Sequence, residues 1–228
     1  MMEQINEQHP HGGSWLREIV FGLNDGLVTT LVFIMAVSGI APAHLVAVVL
    51  GEVLAGGISM ALGGYLSART EKEILDHRIT IERYEIEHEP EEEYAELHVI
   101  YQRKGFQGPL LDRVVSHLTA DHERWHQAMM HDELGVVEDE RINPWARGLQ
   151  IGLSFVIGGL IPTVPVLLML SQMRWWAYGL TALTAIVLGT IKVRYTRKNP
   201  VLAGLEFLVV VTLGMLAGVG TGFLLHAG

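Results

Sequence analysis

Three ionisable side chains stand inside otherwise apolar runs of the chain: Asp25, Glu52 and Glu206. A charge in hydrocarbon costs at least about 2.5 to 3.5 kcal/mol on insertion scales, so each must face protein or a water-filled path. Asp25 lies six residues into its run and Met60 six residues from the end of the next, each about 9 Å from the same side at 1.5 Å per residue. A carboxylate and a thioether at one level make a hard-plus-soft pair, which fits a first-row transition metal better than calcium or magnesium. Glu52, eight residues before Met60, is placed to receive that ion or to carry a coupling proton. Glu206, five residues into the last run, reads first as a group that meets headgroups or nearby Lys and Arg. The competing reading of Asp25 and Glu52 is a structural carboxylate hydrogen-bonded to a neighbouring helix.

The elements that position these residues follow from hydropathy. A membrane helix needs about 20 mostly apolar residues, and five windows qualify: Ile19 to Ile40, His44 to Leu66, Leu149 to Leu170, Trp175 to Val193 and Val201 to Leu225. Only 18% of the 228 residues are charged, against about 25% in soluble domains. The charge is also concentrated, since ten of the 16 Lys and Arg and nineteen of the 25 Asp and Glu lie between Ser67 and Arg147. The expectation is an all-α, five-span membrane protein with a polar helical module inserted between spans 2 and 3. Its parts are 1–66 (tail and spans 1 and 2), 67–147 (module) and 148–228 (spans 3 to 5). With the N-terminus inside, Arg174 is the one basic residue left outside, so the module faces the cytoplasm. No targeting segment is visible, and in a bacterium such a protein sits in the plasma (inner) membrane. Zero cysteines exclude thiolate ligands, and a net charge of −9 argues against nucleic acid.

Small residues mark close helix contacts. Gly214, Gly218 and Gly222 repeat at four-residue spacing, and Gly56, Gly57, Gly63 and Gly64 crowd span 2. The pattern permits an oligomer and intrachain packing equally. Pro162 and Pro165 are expected to interrupt span 3 as a hinge or a kink.

In the module, span 2 continues as a polar helix to Glu89, where Pro90 ends or bends it. A second helix fits Glu91 to Gln102, Gly105, Gly108 and Pro109 mark a turn, and a third helix fits Leu110 to Leu134, stopping at Gly135. Glu82, Glu85 and Glu89 share one face, and Glu93 and Glu96 repeat the spacing on the next helix. Like charges so stacked repel unless something positive sits between them, either a bound cation or side chains such as Arg78 and Arg83. The plainer alternative is a solvated acidic face. The third helix adds Met129, Met130, Asp132 and Glu133 with His117, His122, His126 and His131, and imidazole also suits iron, zinc or nickel.

These residues resemble the vacuolar iron transporters, a family that exports cytosolic ferrous iron in exchange for protons. The resemblance is carried by Arg17-Glu18-Ile19-Val20, by Asp25-Gly26-Leu27, and by Gly51-Glu52 through Ile58-Ser59-Met60-Ala61-Leu62-Gly63-Gly64-Tyr65-Leu66. It extends to Met129-Met130 and Glu133-Leu134-Gly135. It implies a homodimer of five-span subunits with Asp25, Glu52 and Met60 on the translocation path and Glu18 near its entrance. It also implies that Glu82, Glu85, Glu93, Glu96, Met129, Met130 and Glu133 ligate metal in the module. The four histidines and the run Glu91-Glu92-Glu93 depart from the family pattern, which leaves Fe²⁺, Mn²⁺, Co²⁺ and Zn²⁺ open as the ion.

Two other readings compete. Glu85-Ile86-Glu87-His88 and Glu123-Arg124-Trp125-His126 are Glu-x-x-His motifs, the spacing of di-iron carboxylate bundles, so a membrane-tethered ferroxidase is the enzyme alternative. A metal sensor merely anchored by its spans leaves Asp25 and Glu52 unexplained. The expectation is therefore a transporter rather than an enzyme, with metal ions, protons and membrane lipid as its partners.

Overall fold

The computed structural model describes residues 13–37, 39, 42–133, 135, 143–196 and 199–226. Among them all regular structure is helical: α1 (Gly13–Val37), α2 (Pro42–His88), α3 (Pro90–Arg103), α4 (Gly108–Thr119), α5 (His122–Asp132), α6 (Pro144–Leu167), α7 (Met173–Thr196) and α8 (Pro200–His226). The chain divides into two compact units, one of Met1–Leu66 with Pro144–Gly228 and one of Ser67–Asn143. The helix α2 belongs to both.

In the first unit, four helices are long and apolar enough to cross a membrane: α1, α2, α6 and α8. The remaining one, α7, is as long as α6 at 24 residues but more polar. Two of its hydroxyls are absorbed internally, with Thr184 donating to Leu180 O and Thr190 to Val187 O. The helices meet where side chains are missing. Gly22 and Gly26 of α1 lie against the backbone of Ile151 and Phe155 in α6, so these two helices run in the same direction. Gly218 and Gly222 of α8 meet Val32 and Ala36, so α8 runs with α1 as well. The membrane part of α2 runs the other way, Gly57 meeting Gly152 while Gly64 meets Gly148. So does α7, whose Tyr178 hydroxyl and Gly189 meet Thr212 and Ala203 of α8.

These contacts resolve the glycine question for most positions. Gly56, Gly57 and Gly64 pack on α6, and Gly214, Gly218 and Gly222 pack on α1, all within one chain, whereas a methyl at Gly63 meets nothing within 4 Å. The core between them is aliphatic, centred on Leu31, Ile34, Leu45, Val49, Val166 and Val211. The outer faces are aliphatic too: Leu54, Ile58, Leu62, Leu153, Leu213 and Leu216 are each more than half exposed. Side chains of that kind, arrayed around all sides of a bundle, require hydrocarbon rather than water.

Several expected boundaries shift. The first helix begins at Gly13, ahead of Ile19, because Trp15, Arg17 and Glu18 extend it, and Ile40 lies outside the described residues. Pro162 and Pro165 do not interrupt α6, which continues through both to Leu167. Both are buried among neighbouring helices, and the Thr163 hydroxyl donates to Gly159 O (2.7 Å), occupying a carbonyl beside the one that Pro162 leaves free. Lys192 and Arg194 have side chains outside the described residues, and Arg197 and Lys198 lie outside them altogether.

In the second unit, the polar part of α2 ends at His88, and Pro90 opens α3 at its first turn, where a missing N–H costs nothing. The turn at 105–109 uses left-handed backbone at Gly105 (φ +101) and Gly108 (φ +56), conformations that favour glycine. The expected single helix from Leu110 to Leu134 is two helices. It breaks at Ala120 and Asp121, and the Asp121 carboxylate accepts the Arg124 backbone N–H (2.9 Å) as the cap of α5. Leu134 lies outside the described residues, and Gly135 follows with φ +65. A core of Ile86, Leu97, Leu111, Val115, Trp125 and Met129 joins α2, α3, α4 and α5.

Candidate metal-handling sites

In the first unit, Glu52 and Asp25 are each held by a hydroxyl. Thr30, fully buried on α1, donates to Glu52 Oε2 on α2 (3.0 Å), which ties the two helices at that level. Thr29 donates more distantly to Asp25 Oδ1 (3.5 Å). Asp25 and Glu52 are close enough to act on one another electrostatically, and the Oδ1 of Asn24, next to Asp25, is buried with no hydrogen-bond partner. Gly26 and Gly159 allow the approach that seats Thr30, because a methyl on Gly159 meets the Thr30 hydroxyl. Met60 is half-buried on α2, two turns beyond Glu52, beside Ala61, which packs on Gly148 and Gly152. Glu206 is exposed. The threonines were not singled out by sequence reasoning, although Thr29 stands one helical turn from Asp25, a spacing that carries such hydroxyl bonds.

Glu18 is not an open carboxylate. It is 8% exposed, and its Oε1 accepts Arg147 Nε from the first turn of α6 (2.9 Å) and a longer contact from Arg17 (3.4 Å). Arg147 was not singled out by sequence reasoning either. It is a lone basic residue at the start of a span, and 129 positions separate it from its partner.

In the second unit, three helices bring their glutamates together. Glu82 from α2 is within hydrogen-bonding reach of Glu93 from α3 and of Glu133 at the end of α5. Glu85 and Glu96 act on Glu93 and Glu133 through their charge. Burial, followed by the charges of Glu133 and Glu93, pushes the Glu82 carboxyl up to about 8. Burial, followed by Glu85 and Glu96, pushes Glu93 up to about 7. Glu133 is raised by burial and then by Glu96. The charges acting on these three groups are all those of other carboxylates, and Arg78 and Arg83 are exposed. Glu82 Oε1 and Glu93 Oε2 are each buried with no hydrogen-bond donor from the described residues, so a proton, a water or a cation has to satisfy them. Among the described residues, no three His, Asp or Glu side chains form a closed ligand shell. Glu89 stands outside this group of glutamates, exposed at the joint between α2 and α3.

Met129 is fully buried in the core against which these helices pack, and Met130 beside it is 7% exposed. Next to the acidic end of α5, Asp132 is fastened by Lys104, by His131 (2.7 Å) and by the Tyr101 hydroxyl. Burial works to raise the Asp132 carboxyl, but these hydrogen bonds outweigh it and hold it low. Burial and the Asp132 carboxylate push the Tyr101 phenol up to about 12.

The four histidines do not gather. His117 lies against the Arg124 guanidinium (2.9 Å), His131 is engaged by Asp132, His122 is exposed beside Trp125, and only His126 is buried. The Glu-x-x-His motifs do not assemble either. His88 is exposed, stacked on Tyr84 and bonded to its carbonyl, and Glu123 is exposed.

The chain is similar to known proteins over almost its whole length. Vacuolar iron transporter 1 of Tulipa gesneriana is 30% identical over 221 residues, which cover 95% of this chain and 90% of that protein. Vacuolar iron transporter 1 of Oryza sativa subsp. japonica is 32% identical, covering 94% and 86%, and vacuolar iron transporter 2 of the same plant is 31% identical, covering 96% and 91%. The relatives are named as transporters, not as enzymes. The profile of the VIT family matches residues 16–223, and this chain belongs to that family.

Proposed function

We propose that the protein is a multi-pass divalent-metal transporter that moves Fe²⁺ out of the cytoplasm in exchange for protons. The observation that carries the reading is the buried pair Glu82 and Glu93 with Glu133 beside them: among the described residues, the charges acting on these three are those of other carboxylates, Glu85 and Glu96 included. Buried carboxylates without a counter-charge are unfavourable unless a cation takes that place in the working state. In this reading Met129 and Met130 add thioether donors to the cluster, which favours a first-row ion over calcium or magnesium. Asp25, Glu52 and Met60 carry the ion across all five helices of the first unit, Glu18 stands at the entrance, and a carboxylate of the path takes the counter-moving proton. The glutamate module faces the cytoplasm, and in a bacterium the protein sits in the plasma membrane.

The functional unit is a homodimer. Gly51, Ala55, Ser59 and Gly63 form an exposed stripe of small residues at four-residue spacing on α2, with open space beside Gly51 and Gly63. That is the pattern used for close helix contact elsewhere in the chain. Among the described residues, no ligand set supports the ferroxidase alternative.

The test is uptake of Fe²⁺ by proteoliposomes with an acidic lumen, in competition with Mn²⁺, Co²⁺ and Zn²⁺. Uptake is expected to need the pH gradient and to be lost in Asp25→Ala. Uptake unchanged in that variant refutes the path, and metal binding without flux refutes transport.

A further inference from the structure

The ion pair between Glu18 and Arg147 lies on the same seam as the proposed path. Glu18 and Asp25 are seven residues apart on α1, so they share a face about 10 Å apart. Between them Gly22 lies against Ile151, one turn after Arg147 on α6. The seam is fastened on the near side of that contact, where Gln150 donates to the Trp15 carbonyl (2.7 Å). Glu18 and Arg147 side chains are 11% and 21% exposed, so the pair is shielded enough for its charges to matter. Arg17, the second contact of Glu18, is 69% exposed and correspondingly weaker.

We propose that Arg147 is a positioning residue that serves as an internal counter-cation: it occupies Glu18 while no metal is at the mouth, and an arriving divalent ion has to displace it. The inference rests on the transport reading above. Two effects act in one direction. With Arg147 in place the Glu18 carboxylate is engaged, and the guanidinium repels a cation bound for Asp25. Removing the guanidinium frees the first and abolishes the second, so the apparent affinity for metal rises.

The measurement is initial Fe²⁺ flux into proteoliposomes with full-length protein, read as KM and kcat. Arg147→Gln is expected to lower KM about fivefold, the change that releasing one partly buried ion pair gives. Arg147→Lys, which restores the charge without the planar fork, returns KM toward wild type. Glu18→Gln raises KM, and Arg147→Gln added to it lowers KM by less than it does in the wild-type background, because only the repulsion of the incoming cation is then left to remove. An unchanged or raised KM in Arg147→Gln overturns the proposal, and so does an equal fall in KM in the Glu18→Gln background. If Arg147→Gln does not fold, the exchange Glu18→Arg with Arg147→Glu keeps the pair while moving its carboxylate to α6. Raised KM in the exchanged protein supports the proposal, and wild-type KM overturns it. Wild-type protein with no flux of Fe²⁺, Mn²⁺, Co²⁺ or Zn²⁺ refutes the transport reading and takes this inference with it, whereas normal flux with an unresponsive Arg147 refutes the inference alone.

Discussion

Replacing Glu82 by Gln should stabilise the metal-free protein, and only above acidic pH. In the folded chain Glu82 titrates at about 8 and Glu93 at about 7, against 4.5 for a free glutamate. Below pH 4.5 the carboxyl is neutral whether the chain is folded or not, and burial carries no electrostatic penalty. Between 4.5 and about 8 the unfolded chain gives up the proton while the folded one keeps it, so stability is lost steadily as the pH rises. Above 8 the loss is complete. For Glu82 the interval of roughly 3.5 units at 1.36 kcal/mol each sets a ceiling of about 5 kcal/mol. The protons belong to the cluster rather than to one residue, so removing a single carboxyl recovers about half of that, roughly 2 to 3 kcal/mol. Hydrogen exchange of peptides spanning 82–133 in the full-length protein reads this locally, after correction for the intrinsic pH dependence of exchange. The wild type should open more readily at pH 8 than at pH 5, Glu82→Gln should shrink that difference by about 2 to 3 kcal/mol, and a divalent ion should protect the wild type at pH 8 and the variant much less. Equal protection of the wild type at both pH values, or a destabilised Glu82→Gln at pH 8, refutes the electrostatic account of the cluster.

Further outcomes follow from the same geometry. Metal binding at pH 7 should release about one to one and a half protons, since groups titrating near 8 and 7 are then mostly and half protonated, and titration calorimetry in buffers of different ionisation enthalpy measures the number. Gly26→Ala places a methyl onto the Phe155 carbonyl and should disrupt the seam between α1 and α6 by at least about 1 to 3 kcal/mol, whereas Gly63→Ala meets open space and should be tolerated; monodispersity in detergent distinguishes them. Thr30→Val removes the hydroxyl bonded to Glu52 and should slow flux about tenfold with little change in protein yield, the scale of one hydrogen bond to a charged group.

What could be read from the sequence was whatever a single helix determines. A charge within an apolar run is conspicuous, and so were Asp25 and Glu52. Glutamates three and four residues apart share a face whatever else the chain does. Their convergence with Glu133 was not legible from spacing, because it depends on Ile86, Leu97 and Met129 packing three helices into one core. Local competition caused the errors. Asp121 reads as one more polar residue on an amphipathic helix until its carboxylate is seen capping the next one. Pro162 and Pro165 read as breakers because neither neighbouring helices nor the Thr163 hydroxyl enters a propensity. Small-residue stripes announced close contacts without naming the partner, and a bond such as that from Arg147 to Glu18 leaves no local trace at all.

The glycine contacts also bear on motion. At Gly22, Gly26, Gly158 and Gly218 backbone touches backbone, so at these points α1 meets α6 and α8 through contacts that contain no rotamers. A side-chain interface absorbs a displacement by shifting χ angles, while a backbone interface has no such soft coordinate and either holds or separates. These contacts make a stiff frame, and in the transport cycle proposed above a rearrangement that exposes the ion first to one side and then to the other would have to occur against that frame rather than within it.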